Sequence, residues 1–330
     1  MTSDFLPNSA GELAGAETAV ATDHSDFVLE PRASLPRTHV AAAIGAWLDK
    51  TDEERIARIL SDIEIIHPTL EGLLNEADWL VLEPRRHRAR GIVLTGPHGS
   101  GKSVYAKIVQ ARYPLHGPPA DPDDRPAPKA LLIQMSGARR TKAVLSRILE
   151  ATKVPVSKSI TISDRELLVV ETLRRINCGV LILDEMQDIL QAPEGEQVRV
   201  LEIIKFLMNT LSLPIIAIGP PSAGEAFRAD PNLQARFEVL SIPAWEVGDD
   251  FALFLATLEQ YLPLRKPSGL AGTEMQKALI KHTGGNLDGI LTRVRMAAVN
   301  AVVNGTERIT VRALEAPIAR PSIEKLKGSR

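Results

Sequence analysis

Four short segments of the chain are apolar almost throughout: GIVLTG from Gly91, ALLIQM from Ala130, GVLILDE from Gly179 and PIIAIG from Pro214. FEVLSI, at 237–242, is a plausible fifth. Between them lie stretches with helical character: SVYAKIVQARY, the run ending at Ala151, a segment reaching about Asn177, and EQVRVLEIIKFLMNTLS. The third of these begins near SDRE at 163–166, whose Ser-x-x-Glu spacing predicts a capping box and a helix start. Apolar strands alternating with helices predict a parallel sheet covered on both faces. After Pro243 the strand signal stops, and 248–316 predict four helices with turns at LPLRKPSG and HTGGN. Ahead of the first strand, Ile56, Ile59, Leu60, Ile63 and Ile66 recur at helical spacing and predict a helical prelude over 38–82. Pro114–Pro128 is too rich in proline for anything but an exposed loop.

Composition narrows the class. Hydrophobic residues make up 44% and charged residues 24% of 330 positions, as in ordinary soluble domains. No run approaches the roughly 18 apolar residues of a membrane span. No basic start with an apolar core marks a secretory signal, so a cytoplasmic location is expected. The single cysteine, Cys178, excludes an internal disulfide framework and reads as a small buried residue. Net charge is −2, so any polyanion must be met by local patches rather than by the whole surface. Residues 1–30 carry six acids and no Lys or Arg, the composition of a disordered acidic tail.

Chemistry first shows itself between the first strand and its helix. Gly96-Pro97-His98-Gly99-Ser100-Gly101-Lys102-Ser103, followed by Val104, satisfies G-x-x-x-x-G-K-[ST] in full. Glycines let backbone N–H groups turn inward around phosphates, and the following helix aims its positive end at them. Lys102 is placed for the β and γ phosphates of ATP and the Ser103 hydroxyl for Mg²⁺. His98 occupies a variable position of the loop and reads as an exposed spacer. The second half of the site is VLILDE at 180–185, where an acidic pair emerges at a strand's C-terminal end. Asp184 is placed to hold Mg²⁺ through water, and Glu185 to orient or deprotonate attacking water. That doublet favours hydrolysis over transfer to a small acceptor, for which no acceptor-binding lid is visible.

Together these segments resemble the TniB-type transposition ATPases, related to TnsC within the AAA+ class. The resemblance covers roughly 65–316 and rests on GPHGSGKS, VLILDEMQDIL, IIKFLMNTLSLPIIAIG, LQARFEVLSIPAW, LPLRKPSGL and the stretch from GGN to ERIT. It implies an AAA+ P-loop α/β domain with a parallel sheet at 91–245 and a small C-terminal helical lid at 246–316. A helical extension at 38–90, the acidic tail at 1–37 and a basic tail at 317–330 complete the expected organisation. It implies further that the protein assembles as a ring or helical homo-oligomer on duplex DNA. The resemblance implies, too, that the protein marks a target there and recruits a DDE-type transposase, often with a TniQ-like adaptor.

Arg236, in LQARF, matches the arginine that reaches the γ-phosphate of a neighbouring subunit. Two departures stand out. Where a polar residue is expected after the fourth strand, the chain reads Gly219-Pro220-Pro221-Ser222. Where a lid arginine is expected after Gly285, it reads Asn286-Leu287-Asp288, with Arg293 and Arg295 further along. Both suit slow, regulatory hydrolysis.

For DNA, Arg139, Arg140 and Lys142 at the start of the helix after the second strand are the candidates, reading phosphates rather than bases. Arg85, Arg86, Arg88 and Arg90 form a denser basic cluster, read as a solvated linker. With only 4% aromatic residues, stacking on bases is disfavoured. The face of Leu287, Ile290, Leu291, Val294, Ala298 and Val302 reads as lid core. A helicase loader or protein-remodelling ATPase is the alternative, and the polar, basic 136–142 segment counts against it.

Overall fold

The computed structural model describes residues 28–29, 39–84, 88–115, 128–157 and 159–321. The rest of the acidic tail, Arg85, Arg86, most of the proline-rich loop and most of the basic C-terminal tail lie outside the described residues. Five strands form the central sheet: β1 (Gly91–Thr95), β2 (Lys129–Gln134), β3 (Cys178–Asp184), β4 (Ile215–Gly219) and β5 (Phe237–Ser241). Their order is β2-β3-β4-β1-β5, and every neighbouring pair is parallel. All five segments read as strands from the sequence are strands.

Parallel strands need crossovers, and these cover both faces. On one face Val93, Leu131, Ile133, Leu181 and Leu183 pack with α4 (Thr141–Ala151), α5 (Ile162–Arg175), α7 (Glu194–Leu211) and α8 (Pro221–Ala229). On the other, Ile92, Leu94, Val180, Ile182 and Ile216 pack with α2 (Pro68–Leu82) and α3 (Lys102–Arg112). Alternate residues of one strand thus feed opposite cores, which is why the central strands β1, β3 and β4 are buried along their whole length. Cys178 is 2% exposed, within the first core.

Four helices form the lid, as the spacing predicts: α9 (Asp249–Gln260), α10 (Thr273–Thr283), α11 (Leu287–Val303) and α12 (Val311–Glu315). The segment before β1 divides its loyalty. Its first helix, α1 (Asp52–Leu60), puts Ile56 and Ile59 into the lid core, whereas α2 packs on the sheet. The helical prelude expected over 38–82 is also interrupted. α1 opens with a Thr51–Glu54 capping box and stops at Ser61. Leu60 is left 47% exposed, and Ile63 and Ile65 continue into the lid core from extended chain. The start of α5 differs too. Thr161, not Ser163, caps it, its Oγ1 accepting the Asp164 N–H at 3.1 Å.

α1 is fastened to the lid by a buried charge. Arg55 is fully buried, and its guanidinium donates to Pro263 O, Asp52 and Glu307. Burial raises the Glu307 carboxyl, but hydrogen bonds from Arg55 and the Arg265 N–H outweigh it, and the carboxyl lies below the usual range. Removing one partner of such a group leaves an uncompensated buried charge, at a cost of about 3–5 kcal/mol. Arg55→Ala should therefore lower stability by about that much in denaturant titration, while a surface change such as Lys277→Ala stays within about 0.5 kcal/mol. Because the Glu307 carboxyl is depressed in the fold, its contribution is complete above the ordinary glutamate range and fades as pH falls through it.

Candidate functional site

Ligands in open α/β sheets bind beyond the carboxyl ends of the strands. At that end of β1 the loop Gly96–Gly101 turns the chain into α3. Gly99 and Gly101 sit at φ +71° and +94°, a region that L side chains adopt at a cost. A Cβ on Gly99 would also stand 2.8 Å from the Asp288 Cβ. Lys102 curls over the loop, its Nζ donating to Gly96 O at 2.9 Å and Pro97 O at 2.6 Å. Burial pushes its ammonium below the ordinary range, and the Glu185 and Asp184 carboxylates oppose that shift. Ser100 Oγ is buried and without a protein partner. Ser103 and His98 are exposed. A cavity of about 350 Å³ is lined by His98–Val104, Glu185, Leu287, Asp288 and Leu291. A loop with two left-handed glycines, an unpartnered hydroxyl and an ammonium fits a nucleotide's phosphates.

Asp184 ends β3 and is 1% exposed. Its Oδ1 accepts the Glu185 N–H at 2.9 Å, and its Oδ2 accepts Gln134 Nε2 at 3.0 Å. Each oxygen keeps a further lone pair, so with Ser103 the residue fits a hydrated Mg²⁺ shared with phosphates. Glu185 follows at φ +64°, a backbone strain of order 1 kcal/mol. Glu185 lines the same cavity as Lys102. Gln187 Nε2 donates to Glu185 Oε2.

Other predicted residues lie elsewhere. Arg236 immediately precedes β5, and its carbonyl accepts the N–H of Gly91, the first residue of β1. Its guanidinium donates to Asn209 Oδ1 at 2.6 Å. The phosphate loop leaves the other end of β1, so a strand length of about 13 Å separates the two. Arg139, Arg140 and Lys142 are exposed beyond β2, at the nucleotide end of the sheet. They are not unopposed. Glu196 of α7 accepts the Thr141 N–H at 3.0 Å and, chiefly by that bond, is held below the usual carboxylate range. An open cleft of about 600 Å³ there mixes Arg140, Lys142 and Arg199 with Glu166, Glu196 and Glu202.

Arg293 and Arg295 do not face the phosphate loop. Arg293 donates to Leu314 O and Ala316 O, and Arg295 to Ser61 O. The loop is met instead by the N-terminus of α11: Asn286 Nδ2 donates to His98 O, and the Asp288 N–H to Gly99 O at 3.0 Å.

Sequence reasoning missed an apolar slot beside the loop, lined by Ile63, Ile65, His67, Val104, Leu287, Leu291 and others. Leu287 and Leu291, read as lid core, therefore also face ligand space. His67 caps α2, its Nδ1 accepting the Leu70 N–H at 3.4 Å, and packs 4.7 Å from the Trp245 ring. Its only sequence signal is the following Pro68 at a helix start.

The strand order, phosphate loop, acidic strand end and helical lid define an AAA+ P-loop NTPase. The chain belongs to the TniB family: the family profile described as bacterial TniB protein matches residues 55–247. No curated protein matches it. Among solved structures, the Aeropyrum pernix ORC2 protein in ADPNP–ADP complexes aligns with a TM-score of 0.58 at 18% identity, over 83% of this chain and 74% of that one. Cdc6p from Pyrobaculum aerophilum gives 0.57 at 16% identity, over 77% and 67%. The Aeropyrum pernix ORC1 protein in complex with DNA gives 0.52 at 17%, over 78% and 67%. Identities this low establish the fold alone. Among the described residues no helix is long and apolar enough to cross a membrane.

Burial pushes the His67 imidazole down to about 4, so it is neutral at pH 7. The unfolded chain binds a proton there near the ordinary histidine pKa, about 6.5, so stability rises with pH across that interval. Stability should fall by up to about 3 kcal/mol as pH drops from 7 to 4, and His67→Phe should flatten that slope in denaturant titrations. An unchanged slope in His67→Phe would contradict the neutral, buried imidazole.

Proposed function

We propose that this protein is an ATP-dependent, DNA-binding regulator of transposition that hydrolyses ATP at sites shared between copies of itself. One observation carries the reading: Arg236 and the phosphate loop occupy opposite ends of the same strand pair. Arg236 lies far from its own copy's site, so a neighbouring copy supplies it. Such head-to-tail contacts generate rings or helical filaments.

In this reading the loop N–H groups and Lys102 grip the β and γ phosphates of ATP. Ser103 would hold Mg²⁺ directly and Asp184 would hold it through water. Mg²⁺, when bound, neutralises charge on the phosphate oxygens. Glu185 accepts the proton of the attacking water, and a neighbour's Arg236 stabilises charge on the γ-phosphoryl group. The slot beside His67 receives the base. Hydrolysis is slow, because Pro220 offers no side-chain donor beyond β4 and neither Arg293 nor Arg295 faces the loop.

Duplex DNA meets Arg139, Arg140 and Lys142 through its phosphates, which makes binding sequence-tolerant and salt-dependent. The ORC1 protein of like fold, solved in complex with DNA, supports a duplex as a ligand of this architecture. Membership of the TniB family supports the final step, in which the DNA-bound assembly marks a target and recruits a DDE-type transposase with a TniQ-like adaptor.

Subunit mixing tests the shared site. Glu185→Gln and Arg236→Ala should each be inactive alone, yet a one-to-one mixture should recover activity, with about a quarter of its sites complete. A mixture as inactive as its components would sink the arrangement. In mobility-shift titrations a non-hydrolysable ATP analogue should tighten duplex binding at least about tenfold, a coupling typical of allosteric sites. Equal affinity with and without the analogue would refute the switch.

A further inference from the structure

Between the acidic strand end and the basic loop lies α6 (Gln187–Leu190), a single helical turn. Its side chains divide between the two regions. Gln187 Nε2 donates to Glu185 Oε2, the direction that an acceptor-only carboxylate requires. The other end of the same amide, Oε1, lies 3.8 Å from where a Cβ on Gly219 would stand. Gln187 thus covers the end of β4, where Pro220 supplies no polar side chain.

On the opposite side, Asp188 Oδ2 accepts the N–H of Gly137 at 2.5 Å. Gly137 opens the basic loop at φ +74°. One residue beyond the turn, Gln191 Oε1 accepts from Arg139 at 3.4 Å.

The turn itself is firmly held. Met186 and Ile189 are fully buried, and the Met186 N–H donates to Ile218 O at 2.9 Å. Gln197 of α7 closes its far end, donating to Leu190 O at 2.8 Å and Ala192 O at 2.7 Å. The adjacent Glu196 caps α4, which the basic loop enters. Residues 137–139 and the Glu185 partner are thus joined through Asp188 and Gln191 by one short helical segment.

We propose that α6 couples occupancy of the basic loop to the orientation of Glu185, with Gln187 as a positioning residue and Asp188 as the tie to the loop. The proposal rests on the reading that Glu185 activates water and that Arg139, Arg140 and Lys142 meet DNA. Phosphates that draw Arg139 away from Gln191 shift Gly137, pull on Asp188 and turn Gln187 with it. Gln187 serves Glu185 and touches no substrate.

The test is steady-state ATP hydrolysis by the full chain, with and without a mixed-sequence duplex, for the parent, Asp188→Ala, Asp188→Asn and Gln187→Ala. Affinities for duplex and ATP analogue are measured beside it. Asp188→Ala should bind both within about twofold of the parent, yet lose at least about half of the ratio by which DNA changes the rate. Asp188→Asn keeps an acceptor for the Gly137 N–H and should keep most of that ratio. Gln187→Ala should lower kcat about tenfold or more with KM for ATP unchanged, the signature of a group acting only in the chemical step. A parent that responds to DNA while Asp188→Ala responds equally overturns the coupling and leaves the functional reading standing. Equal loss in Asp188→Ala and Asp188→Asn overturns the hydrogen-bonded tie. A parent rate that ignores DNA overturns both the reading and the coupling.

Discussion

The arrangement of this site depends on one buried carboxylate. Asp184 is 1% exposed, and a charge so placed is tolerated only when its oxygens are satisfied. One donor comes from the neighbouring strand, Gln134, and the other from the next N–H along the chain, that of Glu185. The residue that supplies the second donor is itself unusual: Glu185 takes a left-handed backbone and lines the cavity that Lys102 also lines. The strain there, of order 1 kcal/mol, sits beside the phosphate loop.

The sheet's polarity imposes the next constraint. All five strands run the same way, so every loop at their carboxyl ends gathers at one side. The phosphate loop, the acidic pair and the basic segment 136–142 all stand there, while Arg236 precedes β5 and stands at the other. A residue at the wrong end of a parallel sheet cannot be brought round by a side-chain rotation. Arg236 therefore does not reach the phosphate loop of its own chain, and that is the constraint the proposed shared site answers.

Much of this was legible in the sequence, because its signals are local. Strands buried on both faces must be largely apolar, and the central β1, β3 and β4 announce themselves in that way, whereas the edge strand β5 carries Glu238 and Ser241 and gives a weaker signal. A phosphate loop needs glycines and a lysine at fixed spacing, so it survives reading in one dimension. What escaped was relational. Nothing in Ile56, Ile59, Ile63 and Ile66 says that the first three belong to the lid core and the last to the sheet. The capping-box spacing at Ser163 lost to Thr161, two residues earlier, whose hydroxyl accepts the Asp164 N–H. His67, Gln134 and Gln187 carry no motif at all. Their roles exist only once the helix or strand beside them is in place.

The lid shows how two departures from a pattern can have one physical meaning. Arg293 and Arg295 spend their donors on Leu314, Ala316 and Ser61, which ties α11 to its neighbours within the lid and to the segment before β1. The end of α11 that meets the phosphate loop does so through an amide and a backbone N–H, and it brings the acid Asp288 to the cavity's wall. A carboxylate beside phosphates repels them, where an arginine would draw the lid shut. Closure over a triphosphate therefore gains little from the lid's own charge. In the proposed shared site the missing cation is a neighbour's Arg236, which stands at the far end of the sheet from its own phosphate loop. On that reading, weak closure within one chain and a displaced arginine are complementary.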